Sequence, residues 1–333
     1  MIAFIMLWNI HFAQKSFKGA ELYSNQSYKY GKYEMRMKMA KGSGILSTFF
    51  TYKNGSETTG SFWEEIDIEV FGKNNAQLFQ SNIISNNPKK YSEQVHNLDF
   101  SLADDYHTYT LEWTPEYVAW YIDDVLMRKT TGGQVNDLTN TQSLRFNLWA
   151  ANITSWVGAF DSQVLPVYQF VNWIKYYSYT PNTNGSNFTL NWTDNFDTFN
   201  SSRWSKANWT FNENLVDFDP NNIVIKDGTL VLALTKAGQT GFTGVIPSDT
   251  TTDIQDLEYA NVDIKIFPNP FNQSFKIETK NTINYVIKSS LGQTLESGIC
   301  SKETEIGKDL TKGMYLVIVQ SDEKSYYKKM IKE

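Results

Sequence analysis

The chain is predicted to be all-β, and three observations carry that prediction. Apolar and polar residues alternate with period two over long stretches, as in Gly31-Lys32-Tyr33-Glu34-Met35-Arg36-Met37-Lys38-Met39. Turn signals such as Lys41-Gly42-Ser43-Gly44, Asn54-Gly55 and Asp123-Asp124 interrupt the alternation at short intervals. No amphipathic helical period outlasts a turn or two.

Composition bounds the rest. At 333 residues there is room for a large core and for about two domains. A net charge of −6 with pI near 5.3 leaves no basic footprint, so no nucleic-acid partner is expected. Cys300 is the single cysteine, which rules out an intrachain disulfide and argues against a thiolate metal site. His11, His96 and His107 are scattered and give a zinc site little support.

Taken in order, residues 1–14 read as a signal peptide. Ile2 to Trp8 is a short apolar run, and His11-Phe12-Ala13-Gln14 ends it with a small residue near a cleavage point. A first core strand is the competing reading. The run is too short to span a membrane, and no other stretch reaches the roughly 18 apolar residues a span needs. Residues 15–60 read as strands, with Met35, Met37 and Met39 on one buried face and Ile45 to Tyr52 as the next strand.

Residues 63–74 hold the chemistry. Ile66, Ile68 and Val70 alternate with Glu65, Asp67 and Glu69, so the strand has an apolar face and a carboxylate face, with Glu64 outside the acidic set. Three like charges in a row stabilise nothing. A solvated outer face is the bland explanation, but aromatic residues flank the triplet on both sides and suggest a cleft. Residues i and i+4 of a strand lie roughly 13 Å apart at Cα. Side chains leaning inward on a curved sheet would bring the two Glu carboxyls to about 5–5.5 Å, the separation of a retaining glycosidase. One Glu would then attack the anomeric carbon while the other protonates the leaving oxygen. The Asp67 charge is expected to raise a neighbouring acid and keep one Glu protonated.

Phe79 to Ile84 should pair beside this strand, and Tyr106–Trp113 with Tyr117–Ile122 should form a hairpin across Thr114-Pro115. His107 reads as a hydrogen-bonded spacer rather than a general base. Leu144 to Trp149 is another buried strand, and Tyr168 to Tyr179 closes the block. Thr180 to Asn187 reads as a polar linker. Phe188 to Leu234 resumes the aromatic-rich β pattern but is too short for a sandwich of its own. Residues 247–261 lack apolar periodicity and read as a linker, and 262–333 read as a separate small β domain.

The Glu-Ile-Asp-Ile-Glu run resembles the active-site signature of glycoside hydrolase family 16. From about Ser16 to Val245 the chain looks like the circularly permuted 1,3-1,4-β-glucanases (lichenases) of that family. The resemblance implies a concanavalin-like β-jelly roll over 15–246, with 15–180 and 188–246 joined by the short linker. Phe188–Leu234 would be the stretch that opens unpermuted members, a rearrangement that works when the original termini are close and at the surface. Glu65 would be the nucleophile, Asp67 its helper and Glu69 the general acid/base. Phe50, Tyr52 and Trp149 would stack on glucosyl rings, with Trp209 at a more distant subsite. Glu21, Asn54, Gln80, Asn82 and Asn147 would hydrogen-bond hydroxyls, and the four neutral amides among them suit a neutral polymer. No cofactor for catalysis is implied. A structural calcium is implied only through the family, with Asn172 offering its side chain and Asn195 and Gly228 their carbonyls.

The Pro268-Asn269-Pro270 and Lys312-Gly313-Met314-Tyr315 matches resemble the C-terminal sorting domain of the type IX secretion system, an Ig-like sandwich. A carbohydrate-binding module fits less well, since residues 262–333 contain no Trp. The protein is therefore expected to be a monomer, exported through the periplasm and secreted or held at the cell surface. Its partners would be β-glucan and the secretion machinery. Its expected activity is cleavage of 1,4-β bonds next to 1,3-β bonds in mixed-linkage glucan, with retention. Only Ile68 separates Asp67 from Glu69, so the strand should be regular, whereas laminarinase-like members carry an extra residue that makes a bulge. An endo-1,3-β-glucanase and a non-catalytic lectin-like sandwich are the alternatives; the intact carboxylate pair weighs against the second.

Overall fold

A computed structural model describes residues 14–183, 186–249, 254–256, 263–289, 294–321 and 324–333. Of the expected signal peptide, residues 1–13 lie outside the described residues, as do most of the 247–261 linker and Ser290 to Gln293. The described residues fall into two compact units, divided between Pro247 and Ser248.

The first unit opens with β1 (Phe17–Tyr28), β2 (Gly31–Lys38), β3 (Ile45–Tyr52), β4 (Trp63–Phe71) and β5 (Leu78–Asn86). Two short strands, β6 (Lys90–Tyr91) and β7 (Gln94–Asn97), precede the hairpin of β8 (His107–Trp113) and β9 (Tyr117–Ile122). Next come β10 (Val125–Thr131), β11 (Gln142–Ala150) and the long β12 (Val167–Thr183). The unit ends with β13 (Ser186–Asp194), β14 (Trp204–Lys206), β15 (Asp217–Phe218), β16 (Ile223–Lys226) and β17 (Thr229–Lys236).

These strands make two layers of one curled sheet. One layer runs β14–β1–β11–β3–β4–β5, with β6 and β7 along its edge. The other runs β17–β12–β2–β8–β9–β10, with β13 beside the far half of β12 and β16 beside β17. β1 belongs to both. Its start pairs antiparallel with β17 (Phe17↔Lys236) and parallel with β15 (Lys18↔Asp217); its later part pairs with β11 and β14.

The period-two pattern explains the layering. Ile66, Ile68 and Val70 share one buried core with Met35, Met37, Leu111, Trp120 and Phe146, while the opposite parity of β4 faces outward. Within the stretch 180–187, β12 continues through Thr183 and β13 begins at Ser186, so its described residues are paired strand. Polarity did not stop pairing there, since Tyr179 packs on Phe188 at 5.9 Å and Thr180 Oγ1 meets Thr189 Oγ1 at 2.6 Å.

The second unit holds β18 (Ile254–Asp256), β19 (Ile264–Phe267), β20 (Phe275–Thr279), β21 (Ile283–Ser289), β22 (Thr294–Cys300), β23 (Glu303–Ile306), β24 (Gly313–Ser321) and β25 (Lys324–Lys332). Its two sheets, β18–β25–β24–β21–β22 and β19–β20–β23, enclose a core that includes Phe271, Phe275, Ile277, Ile287 and Val317. β18 lies inside the stretch expected to be linker; its three residues pair in parallel with β25.

Candidate active site

Antiparallel register lays the outward residues of neighbouring strands side by side. Thr48, Phe50 and Tyr52 of β3 stand opposite Glu69, Asp67 and Glu65 of β4, and Gln80, Asn82 and Ile84 of β5 stand on the other side. Beyond β3 come Asn147, Arg145 and Ser143 of β11, and beyond those Glu21 and Tyr23 of β1. Most of the sequence-predicted residues are therefore gathered on one face by register alone. Neither ladder of β4 slips, so the strand carries no bulge. Glu64 points the other way. It is fully buried, and its carboxylate accepts the backbone N–H groups of Thr139 at 2.8 Å and Asn140 at 2.9 Å.

The three outward acids differ in their neighbours. Burial raises Glu65, but a 2.6 Å bond from Trp63 Nε1, a bond from Asp67 and the charges of Lys89 and Arg145 pull it back towards ionisation. Asp67 is 3 % exposed. Burial, then the charges of Glu65 and Glu69, push it far above the usual carboxylate range, so it keeps a proton for its bond to Glu65. Its Oδ2 is buried and has no protein partner. Glu69 is pushed up to about 8, first by burial and then by the charges of Glu65 and Glu93; a 2.6 Å bond from Gln80 Nε2 opposes them. The sequence expectation that the Asp67 charge lifts a glutamate is corrected here. Asp67 is not among the causes that raise Glu69, and its hydrogen bond lowers Glu65.

Several expected sugar ligands also serve the protein. Gln80 holds Glu69 with one end and accepts from Trp156 Nε1 at 3.2 Å with the other. Asn82 Oδ1 accepts from the Ser92 amide at 3.0 Å, and Asn147 donates to Glu21 at 3.2 Å. Glu21 is buried and pairs with Arg145 at 2.8 Å. Asn54 Oδ1 accepts from Ser143 and from Arg145, each at 2.9 Å. Tyr52 donates to Glu57 at 2.6 Å, and Phe50 meets Tyr52 edge-on at 6.4 Å. Trp149 packs between Trp156 and Phe211, and Trp209, 38 % exposed, leans on Tyr23 at 5.1 Å. His107 lies on β8, away from this row, bonded to Asp123 at 2.6 Å.

Arg145 is the functional residue that sequence reasoning missed. Its guanidinium sits 4.5 Å from the Tyr52 ring and 5.9 Å from Trp209. Arg145 shares its parity with Asn147 and Trp149 on β11, but only the register with β3 and β1 shows which groups it faces.

Of the positions suggested for calcium, Asn172 and Gly228 lie close to one another. Asn172 Oδ1 accepts from Thr229 at 3.3 Å, beside Gly228, and Asp197 Oδ1 stands 3.7 Å from where a Cβ on Gly228 would be. Asn195 follows Asp194, which pairs with Ile174 of β12. Such an all-oxygen set fits a hard cation. Among the described residues no cluster of three or more His, Cys, Asp or Glu side chains could hold a metal, and no helix is long and apolar enough to cross a membrane.

Comparison with known proteins shows the family. The family model for glycosyl hydrolases family 16 matches residues 7–192, and that for a secretion-system C-terminal sorting domain matches 265–333. A β-glucanase of Fibrobacter succinogenes is 53% identical over 240 residues, covering 71% of this chain and 68% of that protein. One from Paenibacillus polymyxa is 37% identical over 167 residues, covering 50% and 67%. The solved β-glucanase of Bacillus licheniformis aligns at 38% identity over 47% of this chain and 70% of its own, with a TM-score of 0.42.

Proposed function

This chain belongs to glycosyl hydrolase family 16, and from that premise we propose that it is an exported, retaining endo-β-glucanase that cuts mixed-linkage β-glucan. The observation that carries the linkage preference is the unslipped register of β4, which keeps Glu65 and Glu69 on one face without the re-aiming a bulge would impose.

In the first step Glu65 attacks C1 while Glu69 gives its proton to the departing O4, so the C1–O bond breaks and a glycosyl–Glu65 ester forms. The surroundings suit these roles. Glu65 has donors and cations around it, and Glu69 is still protonated at neutral pH. Esterification removes the Glu65 charge, one of the causes that hold Glu69 up. Glu69 thereby becomes acidic enough to end as a carboxylate and then take a proton from the water that attacks C1, which breaks the C1–Glu65 ester bond and returns Glu65 as a carboxylate. Asp67 steadies the Glu65 carboxylate with its proton, and its unpartnered Oδ2 is an acceptor left for a sugar hydroxyl or a water.

The family match ends at 192, yet β14 and β15 pair with β1, and β17 with β1 and β12. That supports reading Phe188–Leu234 as the opening stretch of unpermuted members. A calcium ion held by Asn172, Asn195 and Gly228 would tie β12 to the turn before β17 and take no part in bond breaking. The sorting domain marks the chain for type IX export.

The test is reducing-sugar release from barley glucan, lichenan, laminarin and carboxymethylcellulose at equal mass. The mixed-linkage polymers should be cut fastest. Faster cutting of laminarin would replace this reading with the 1,3-β-glucanase.

A further inference from the structure

Residues 207–216 form an irregular loop that brings two half-exposed rings to the outer face, Trp209 against Tyr23 and Phe211 against Trp149 at 4.9 Å. Its ends are fixed by backbone bonds, from Ala207 N to Glu21 O and from Phe218 N to Trp209 O, each 2.9 Å. Its interior is held from the opposite end of the chain. Lys15 Nζ donates to Thr210 Oγ1 at 2.8 Å and to the Asn214 carbonyl, while the Lys15 amide donates to Asp217 Oδ2 at 3.0 Å. Lys18 Nζ reaches the same Asp217 oxygen at 2.9 Å and is itself 5 % exposed. Thr210 passes the restraint on, since its hydroxyl donates to Val216 O at 2.7 Å. Residues 213–215 are also tied to the end of β11, by Asn152 N to Glu213 O at 2.7 Å and Leu215 N to Ala150 O at 2.8 Å. The carboxylate and the two lysines thus fasten the chain's first described residues to the 209–214 part of the loop, where the two rings sit.

We propose that Lys15 and Lys18, acting through Asp217 and Thr210, position the Trp209–Phe211 loop for the distant end of a bound glucan chain. Lys15 is then a positioning residue that never touches sugar. The sugar-binding part rests on the glucanase reading above; the clamp itself does not.

The experiment compares the full chain with Lys15→Met, Thr210→Val and Lys15→Arg in two measurements. In amide hydrogen exchange, residues 208–216 of Lys15→Met and Thr210→Val should exchange roughly tenfold faster than wild type while β4 stays protected. Lys15→Arg should behave as wild type. On polymeric mixed-linkage glucan the first two variants should raise KM by about three- to tenfold with kcat within about twofold. Unchanged exchange in Lys15→Met would overturn the clamp, and a raised KM with unchanged exchange would place Lys15 directly on substrate instead. Faster exchange with unchanged KM would show that the loop does not serve binding. If wild type cuts no β-glucan the substrate reading falls, and the exchange result still decides the clamp.

Discussion

The two ends of the acidic row on β4 are made of the same residue. Glu65 and Glu69 sit four apart on one face of one strand, and burial raises both. Their neighbours differ in sign. Around Glu65 stand an indole N–H, a protonated Asp67 and the cations Lys89 and Arg145. Around Glu69 stand one neutral amide and the anions Glu65 and Glu93. Desolvation alone would make two weak acids of equal standing; the sign of the nearby charge separates them into a base and an acid.

The largest test removes each end in turn. Glu65→Ala should lower kcat by at least about 10⁴-fold. Added azide should then restore cleavage of an activated substrate and yield the α-glycosyl azide. Glu69→Ala should still be attacked on substrates with good leaving groups and yield the β-azide. Finding the two products exchanged would reverse the assignment.

A second test reads stability. The folded pKa of Glu69, about 8, lies above its unfolded value, so its contribution is present in acid and lost as pH rises towards 8. Glu69→Gln should therefore gain on the order of 4 kcal/mol over wild type in denaturant melts at pH 8, a difference that vanishes near pH 4. Glu64→Gln, on the buried face one residue from Glu65, should instead lose about 1–3 kcal/mol, because it exchanges an acceptor of N–H groups for a donor. Equal effects at both positions would show that the two faces are not electrostatically distinct.

The smallest effect is a titration. Activity on kcat/KM should fall as pH rises through about 8, where Glu69 loses its proton. Glu93→Gln removes one of the charges holding Glu69 up and should move that limb to lower pH by a few tenths of a unit, the scale of one screened exposed charge. A limb that stays in place would remove Glu93 from the account.

The strands were legible wherever one face is buried. Ile45–Tyr52 and Tyr117–Ile122 appear with the boundaries their alternation indicates, and the Met35–Met37 face is fully buried. Strand structure at residues 180–183 and 186–187 was not legible, because their pairing partner, not their polarity, decides their state. The acids of β4 were legible because one strand supplies all three. Arg145, the Gln80 support of Glu69 and the Lys15 clamp were not. Each depends on register between strands far apart in sequence, and alternation within a strand says nothing about which strand lies beside it.

The double membership of β1 has a bearing on time. Phe17 pairs with Lys236, and Lys18 with Asp217, so the first strand waits for partners some two hundred positions later in the chain. Loop closure over such a span comes late and slowly. The rolled sheet cannot close until nearly all of the catalytic unit has been synthesised, so its last ladder is the one that joins the two ends of that unit.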